Sequence, residues 1–146
     1  MANPLLAFGA ACSAIAAFLH LGCIVFGASW YRFLGAGERM VRLSEAGKIG
    51  PAIITAGIAS VLFLWSLFAL SGAGIIPRLP FTRLALCLIA GIYIVRGLVG
   101  LIFAAAAPGT HGVAFWSWSS VICLGIGTLY LVGTQQVWSS LSRAAA

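Results

Sequence analysis

Arg96 is the residue whose surroundings point most directly to chemistry. It is the sole charge among the 24 residues from Leu84 to Ala107 (LALCLIAGIYIVRGLVGLIFAAAA). This stretch is otherwise apolar or small, and it is long enough to span a membrane. A guanidinium in hydrocarbon costs at least about 2.5 kcal/mol, and such residues usually serve a transport pathway, a partner or a ligand. Its planar fork can bind a phosphate or a carboxylate through two parallel hydrogen bonds. The sequence therefore predicts an anion near Arg96.

His20, in the first apolar stretch, is predicted to share a half-cavity with Arg96. At about 1.5 Å per helical residue, His20 lies roughly 10 Å from the end of its helix and Arg96 roughly 15 Å from the end of its own. Four membrane crossings in series would put these two ends on one face. Polar groups at comparable depth complete the predicted ligand-binding set: Arg96, His20, Tyr93, Glu38, Thr55, Ser119 and Ser120.

Each of these residues also has an ordinary structural explanation. Arg96 can extend its charge toward the membrane interface, and His20 can be a core histidine bonded to a neighbouring helix. Glu38 can face water, where it would pair with Arg42 one helical turn away. A haem or metal site would need His20 and His111 together, and no supporting motif accompanies them. The sequence assigns no cofactor and no metal ligand.

Catalysis has less support than binding. Ser119 or Ser120 could be a nucleophile with His20 as base, but no acid is placed to orient the histidine. The four cysteines lie in apolar segments without a C-x-x-C pair, which is typical of core residues rather than of dithiol or zinc sites. The sequence favours a protein that is not an enzyme; a membrane enzyme or a quinone or haem redox protein stays open as an alternative.

The composition requires a membrane protein. Of the 146 residues, 62% are hydrophobic and 7% charged, whereas soluble domains are about 25% charged. The formal net charge of +6 is spread thinly over loops and ends. Membrane lipids with anionic headgroups are therefore the expected partner, and nucleic acid is excluded. The N-terminal stretch lacks the basic region of a signal peptide, which predicts a retained first helix.

The elements that must position the site are four apolar helices, predicted over residues 4–27, 51–70, 83–106 and 113–132. They predict an all-α integral membrane protein, a single domain over residues 1–146 in which four transmembrane helices form a small antiparallel bundle. Trp30 closely follows the first helix and Trp116 lies at the start of the fourth, as expected for aromatic residues at one interface. The loop over residues 28–50 is predicted to contain a short interfacial helix, because GERMVRLSEAGK has an apolar side.

The predicted orientation in the membrane depends on a difference of one positive charge between the two faces. Four basic residues flank one face and three the other: Arg32, Arg39, Arg42 and Lys48, against Arg78, Arg83 and Arg143. The positive-inside rule favours a cytoplasmic location for the loop over residues 28–50, and the compact architecture favours a bacterial inner membrane.

These observations predict binding or transport of an anionic or amphipathic ligand, such as a lipid, around Arg96 and His20. The alternative is a structural or assembly subunit of a larger membrane complex, in which small residues contact other helices. Arg96 would then pair with an acidic residue of another membrane protein. A homo-oligomer is compatible with either function.

Overall fold

The structure is a computed structural model that describes residues 2–106, 109 and 112–143. Within these residues its regular secondary structure is all helical, and it contains no strand. The elements in chain order are α1 (Pro4–Phe26), α2 (Ala28–Phe33), α3 (Glu38–Glu45), α4 (Gly50–Ala73), α5 (Thr82–Ala106), α6 (Gly112–Gln136) and α7 (Trp138–Arg143). The all-α class predicted from the composition is confirmed.

Four of these helices, α1, α4, α5 and α6, are long and apolar enough to cross a membrane. Their starts agree with the predicted starts to within one residue. Two ends lie further along the chain, at Ala73 rather than residue 70 and at Gln136 rather than residue 132. The longer α6 has a physical reason, since Gln136 accepts a hydrogen bond of 2.8 Å from the Asn3 amide and is thereby held in the helix.

The chain divides into two compact units. The first contains residues 1–12 and 65–146, and the second contains residues 13–64. The long helices α1 and α4 each contribute one part to each unit.

The first unit is organised around close packing of α5 against α6. A methyl group added at Gly97 would lie 2.6 Å from the Leu124 side chain and 3.1 Å from the Ser120 carbonyl oxygen. Such an approach of two helix backbones is possible only where small residues line the contact. Buried apolar side chains fill the remaining interior: Leu6, Leu86, Ile89, Tyr93, Ile126 and Tyr130.

The connection between α4 and α5 is a turn held by buried hydroxyl groups. Ser71 accepts a hydrogen bond of 2.8 Å from the Leu79 N–H, and its oxygen lies 3.2 Å from the Pro77 carbonyl, to which it donates. Thr82, at the start of α5, donates to the Leu79 carbonyl at 2.7 Å. These bonds pair backbone groups of the turn that no helix would pair.

The second unit packs the short helices α2 and α3 against the end of α1. Cys23, Tyr31 and Val41 form its buried core. The predicted helix in this loop is present as α3, whereas α2 was not expected, because six residues (ASWYRF) are too few for helical periodicity to show. Arg32 of α2 pairs with Glu45 of α3 at 2.9 Å. The pairing of Glu38 with Arg42 that the sequence suggested is not formed, since Glu38 has no partner among the described residues.

Candidate ligand-binding sites

Arg96 is exposed on the outer face of α5. Its guanidinium carbon lies 5.3 Å from the centre of the Trp116 ring on α6. That ring also stacks on Phe103, with 5.1 Å between the ring centroids. The cation therefore rests beside an aromatic pair, an arrangement that attracts a positive charge to the ring face.

The Arg96 side chain is directed toward the C-terminal end of α5. Its Nη1 atom lies 2.9 Å from the position that a β-carbon would take at Gly100, one turn further along the helix. The charge is therefore closer to the helix end than its own backbone is, as expected of an arginine that extends toward an interface. The absence of a side chain at Gly100 makes room for this conformation.

Ser120 approaches the same glycine from α6. Its hydroxyl group would overlap a β-carbon placed at Gly100, so Gly100 brings Ser120 and Arg96 to one place. Ser120 is fully buried, and its hydroxyl has no hydrogen-bond partner among the described residues. An unpaired buried hydroxyl of this kind calls for an explanation such as a water or a ligand.

Acidic side chains are absent from the sequence of the first unit. The chain has two acidic residues in all, Glu38 and Glu45, and both belong to the second unit. Arg96 therefore has no acidic side chain in its own unit to neutralise it. Charge compensation within hydrocarbon would have to come from an anion that this unit does not supply.

A groove of about 540 Å³ follows α5 beside Arg96. Arg96 is its charged member, and the other lining residues are apolar or small: Cys87, Leu88, Gly91, Ile92, Val95 and Val99. The groove thus joins an apolar trough to a cation, which is the pattern that an anionic amphiphile would match.

Two of the predicted site residues have structural contacts instead. Tyr93 is 7% exposed and packs between Trp65 and Tyr130, with ring centroids 5.3 and 5.8 Å away. The Ser119 hydroxyl donates to the Trp116 carbonyl of its own helix at 3.3 Å. Neither residue lines the groove beside Arg96.

His20 and Thr55 lie together in the second unit, where both line a cavity of about 440 Å³. Ten further residues complete its wall: Ala16, Leu19, Cys23, Tyr31, Leu34, Gly35, Ala36, Met40, Ile54 and Ile58. The cavity is bounded by α1, α2, α3 and α4, and no charged residue lines it. Glu38 is exposed in the first turn of α3 and is not part of this wall.

The hydrogen bonding of His20 determines what its ring can offer. Nδ1 lies 2.7 Å from the Ala16 carbonyl oxygen. A carbonyl only accepts, so Nδ1 carries a proton in this hydrogen bond, and in the neutral form of the ring Nε2 is the acceptor. The structure thus places His20 near Thr55 in one unit, and Arg96 near Ser120 in the other. A cavity shared by Arg96 and His20 stays a prediction.

Tyr31 is a cavity residue that the sequence did not assign to the site. It is 2% exposed, and its hydroxyl is buried without a partner among the described residues. In the sequence it follows Trp30 at the end of an apolar helix, which resembles an interfacial aromatic pair. Only the unexpected helix α2 turns the tyrosine into the interior.

A second surface that the sequence did not single out lies where α5 meets α7. The Arg83 guanidinium carbon stands 3.6 Å from the centre of the Trp138 ring. Both residues line a cavity of about 530 Å³, together with Arg78 and Phe81. In the sequence, the only indication of this surface was two arginines close to prolines, because the helix that carries Trp138 was not predicted.

Metal binding has no support in the described part of the chain, which contains no group of three histidine, cysteine or acidic side chains close enough to hold an ion. His111, the other residue considered for haem or metal, lies outside the described residues. Comparison of the chain with protein-family profiles, with curated proteins and with solved structures gives no match.

Proposed function

We propose that this protein is an integral membrane protein that binds an anionic amphiphile on α5, with the anionic group on Arg96 and the hydrocarbon part in the adjoining groove. The observation that carries the proposal is the exposed residue Arg96 in the lining of an otherwise apolar groove. A membrane phospholipid or a fatty acid has this combination of charge and chain.

The charge balance of the first unit supports an anion as the ligand. Its sequence holds no acidic residue, so a bound phosphate or carboxylate would be the counter-ion of Arg96. In surroundings of low dielectric constant the attraction between opposite charges is several times stronger than in water. The arginine fork can also form two charge-assisted hydrogen bonds to either anion.

The groove supports an acyl chain as the remainder of the ligand. From Leu88 to Val99 it follows about 16 Å of helix at 1.5 Å per residue, comparable to an extended hydrocarbon chain. Lipid tails are already in apolar surroundings, so burying them here adds little driving force. Selection among lipids would therefore come from the headgroup at Arg96.

The proposed arrangement in the membrane follows the sequence. The helices α1, α4, α5 and α6 would cross the bilayer as an antiparallel bundle, in a bacterial inner membrane with the connection from α1 to α4 in the cytoplasm. Transport rather than binding would require an oligomer, because four helices offer little room for a pathway of their own.

The test is native mass spectrometry of the protein extracted together with its own lipids. Wild-type protein should retain an anionic amphiphile, and Arg96→Ala should reduce its occupancy at least about tenfold, since a hydrogen bond to a charged group contributes about 1.5–3 kcal/mol. Arg96→Lys should retain part of the binding, because it keeps the charge and loses the planar fork. Arg39→Ala, which removes an exposed arginine of α3, is the matched control.

Two results would argue against the proposal. Equal occupancy in wild-type protein and in Arg96→Ala, with unchanged thermal unfolding, would show that the arginine does not hold the ligand. A polypeptide that stays bound to the wild type and is lost from Arg96→Ala would instead support the alternative of an assembly subunit.

A further inference from the structure

The cavity where α5 meets α7 is a second cationic surface of the first unit. Its volume of about 530 Å³ lies in the range of ligand pockets, about 300–1,000 Å³. Arg78 and Arg83 line it, and both residues are exposed, so a ligand can reach their charges. Along α5, Arg83 lies about 20 Å from Arg96 at 1.5 Å per residue. The cavity is therefore separate from the Arg96 charge.

An aromatic ring holds one of the two charges in place. The Arg83 guanidinium carbon stands 3.6 Å from the centre of the Trp138 ring, a contact that attracts the cation to the ring face. A long side chain that is already ordered loses less conformational entropy when a ligand binds to it. Arg83 is thus pre-organised in the cavity wall, with Trp138 as its positioning residue.

The two arginines are the charged donors that this wall offers to a ligand. Thr82 also lines the cavity, but it is 3% exposed and donates its hydroxyl proton to the Leu79 carbonyl at 2.7 Å. The sequence of the first unit contains no acidic side chain to balance the two charges. An anion complements such a wall, and a phosphate can accept two parallel hydrogen bonds from a guanidinium fork.

Apolar surface adjoins these charges. Phe81, in the turn before α5, is 79% exposed and lines the same cavity. A second cavity of about 520 Å³ shares Cys87 and Trp138 with the first and is otherwise lined by residues of α5 and α6, among them Leu131. Exposed aromatic side chains beside basic ones are typical of the membrane interface, where headgroups meet hydrocarbon. The matching ligand has an anionic head and an acyl chain.

We infer that this cavity binds the headgroup of an anionic phospholipid, whose acyl chain lies in the adjoining cavity beside Ala90 and Leu131. The inference rests on the proposed location in a membrane but not on ligand binding at Arg96. It requires the combined positive potential of two arginines in one wall, since basic residues near a membrane surface attract anionic lipids. Acyl chains gain little by leaving other lipid tails, so the headgroup selects the lipid.

The test uses delipidated protein in a nonionic detergent, titrated with dioleoyl phosphatidylglycerol or with dioleoyl phosphatidylcholine. Native mass spectrometry measures the affinity for each lipid. Every variant is made in the wild-type chain and again together with Arg96→Ala, so that the two sites are measured separately. With Arg96→Ala alone, the protein should still bind phosphatidylglycerol about tenfold more tightly than phosphatidylcholine, because phosphatidylglycerol carries a net negative charge.

The decisive variant combines Arg78→Gln with Arg83→Gln. Its preference for phosphatidylglycerol should fall below about threefold, because both charges are removed. Arg78→Gln alone should lose part of the preference and keep the contact of Arg83 with Trp138, so it tests the site even if the double variant fails to fold. The matched control combines Arg39→Gln with Arg42→Gln, two exposed arginines of α3, and should keep the preference.

The role of Trp138 is tested without a change of charge. Trp138→Leu should weaken binding of phosphatidylglycerol about threefold and leave phosphatidylcholine unaffected, because Arg83 loses the ring that holds it. Trp138→Phe keeps an aromatic face and should restore most of the affinity. An equal loss for both lipids in Trp138→Leu would contradict the positioning of Arg83 by this ring.

Equal preference for phosphatidylglycerol in the Arg78 and Arg83 double variant and in the α3 control would overturn the inference. So would displacement of the lipid by inorganic phosphate at equal concentration, which would identify a soluble anion as the ligand. Loss of the preference in Arg96→Ala alone would also overturn it, while supporting the function proposed for Arg96. The two proposals can therefore fail independently.

Discussion

At the residue scale, Gly100 and Gly97 allow the close packing around Arg96. Gly100 leaves the space in which the Arg96 guanidinium and the Ser120 hydroxyl come together. Gly97 allows α6 to approach closely enough for Ser120 to lie there at all. A glycine within a helix lowers its intrinsic stability by up to about 1 kcal/mol relative to alanine. Here the close contact of two helices compensates for that loss.

Gly97→Ala should destabilise the protein by about 1–3 kcal/mol, the usual effect of adding a methyl group to a filled interior. The new methyl would meet both the Leu124 side chain and the Ser120 carbonyl oxygen, and the backbone atom cannot turn aside. Thermal unfolding in mild detergent is the measurement. Gly125→Ala on α6 is the control, because nothing lies within 4 Å of its added methyl. Equal unfolding temperatures for the two variants would contradict the close packing.

At the element scale, side-chain hydrogen bonds hold helix ends and the turn between α4 and α5. The Asn3 side chain accepts a hydrogen bond of 3.0 Å from the Leu6 N–H at the start of α1 and donates to Gln136 near the end of α6. Ser71 does the same for the turn between α4 and α5, where it contacts backbone groups of Pro77 and Leu79. A few short polar side chains thus fix where apolar helices begin and end.

Ser71→Ala should destabilise the protein by about 0.5–1.5 kcal/mol, because the partly buried Leu79 N–H loses its hydrogen-bond acceptor. Ser60→Ala on the same helix removes a hydroxyl that is exposed and bonded only to the Ala56 carbonyl one turn earlier. It should change stability by less than about 0.5 kcal/mol, as exposed substitutions usually do. Unfolding curves of the two variants that coincide would show that the Ser71 bonds do not stabilise the turn.

At the scale of the whole molecule, the distribution of apolar surface fits a protein that lies in lipid. Large apolar side chains stand exposed on each long helix, among them Phe8, Ile53, Leu88 and Val121. A soluble monomer rarely exposes so much contiguous apolar surface. The described ion pair, Arg32 with Glu45, lies in the short helices outside these long ones.

Reporter fusions test the proposed arrangement in the membrane. A reporter placed at Gly47, before α4, should report a cytoplasmic location, and one at Arg78, after α4, should report the opposite side. The reason is that α4 is long and apolar enough to cross once, while the excess of basic residues before it favours the cytoplasm. Reversed signals would contradict only the proposed orientation, because α4 would still cross the membrane. Two signals from the same side would show that α4 does not cross.

The sequence by itself determined the long helices. Uninterrupted apolar runs of more than 20 residues can satisfy their backbone groups only as helices in lipid, and Pro4 and Pro51 mark two of the starts. It also identified Arg96 as an unusual charge, because composition alone shows its isolation. The amphipathic pattern of α3 was sufficient for a short helix, since its apolar side repeats at helical spacing.

Only the tertiary structure decided which residues share a site. Tyr93 was predicted to share a site with Arg96 because it lies at a comparable depth. Packing buries the tyrosine and leaves the arginine exposed, because the rotation of an almost wholly apolar helix is not fixed by its own sequence. Tyr31 joined His20 for a similar reason, since a helix of six residues turns it inward. Local patterns specify helices because their hydrogen bonds are local, whereas cavities depend on side chains brought together from distant segments.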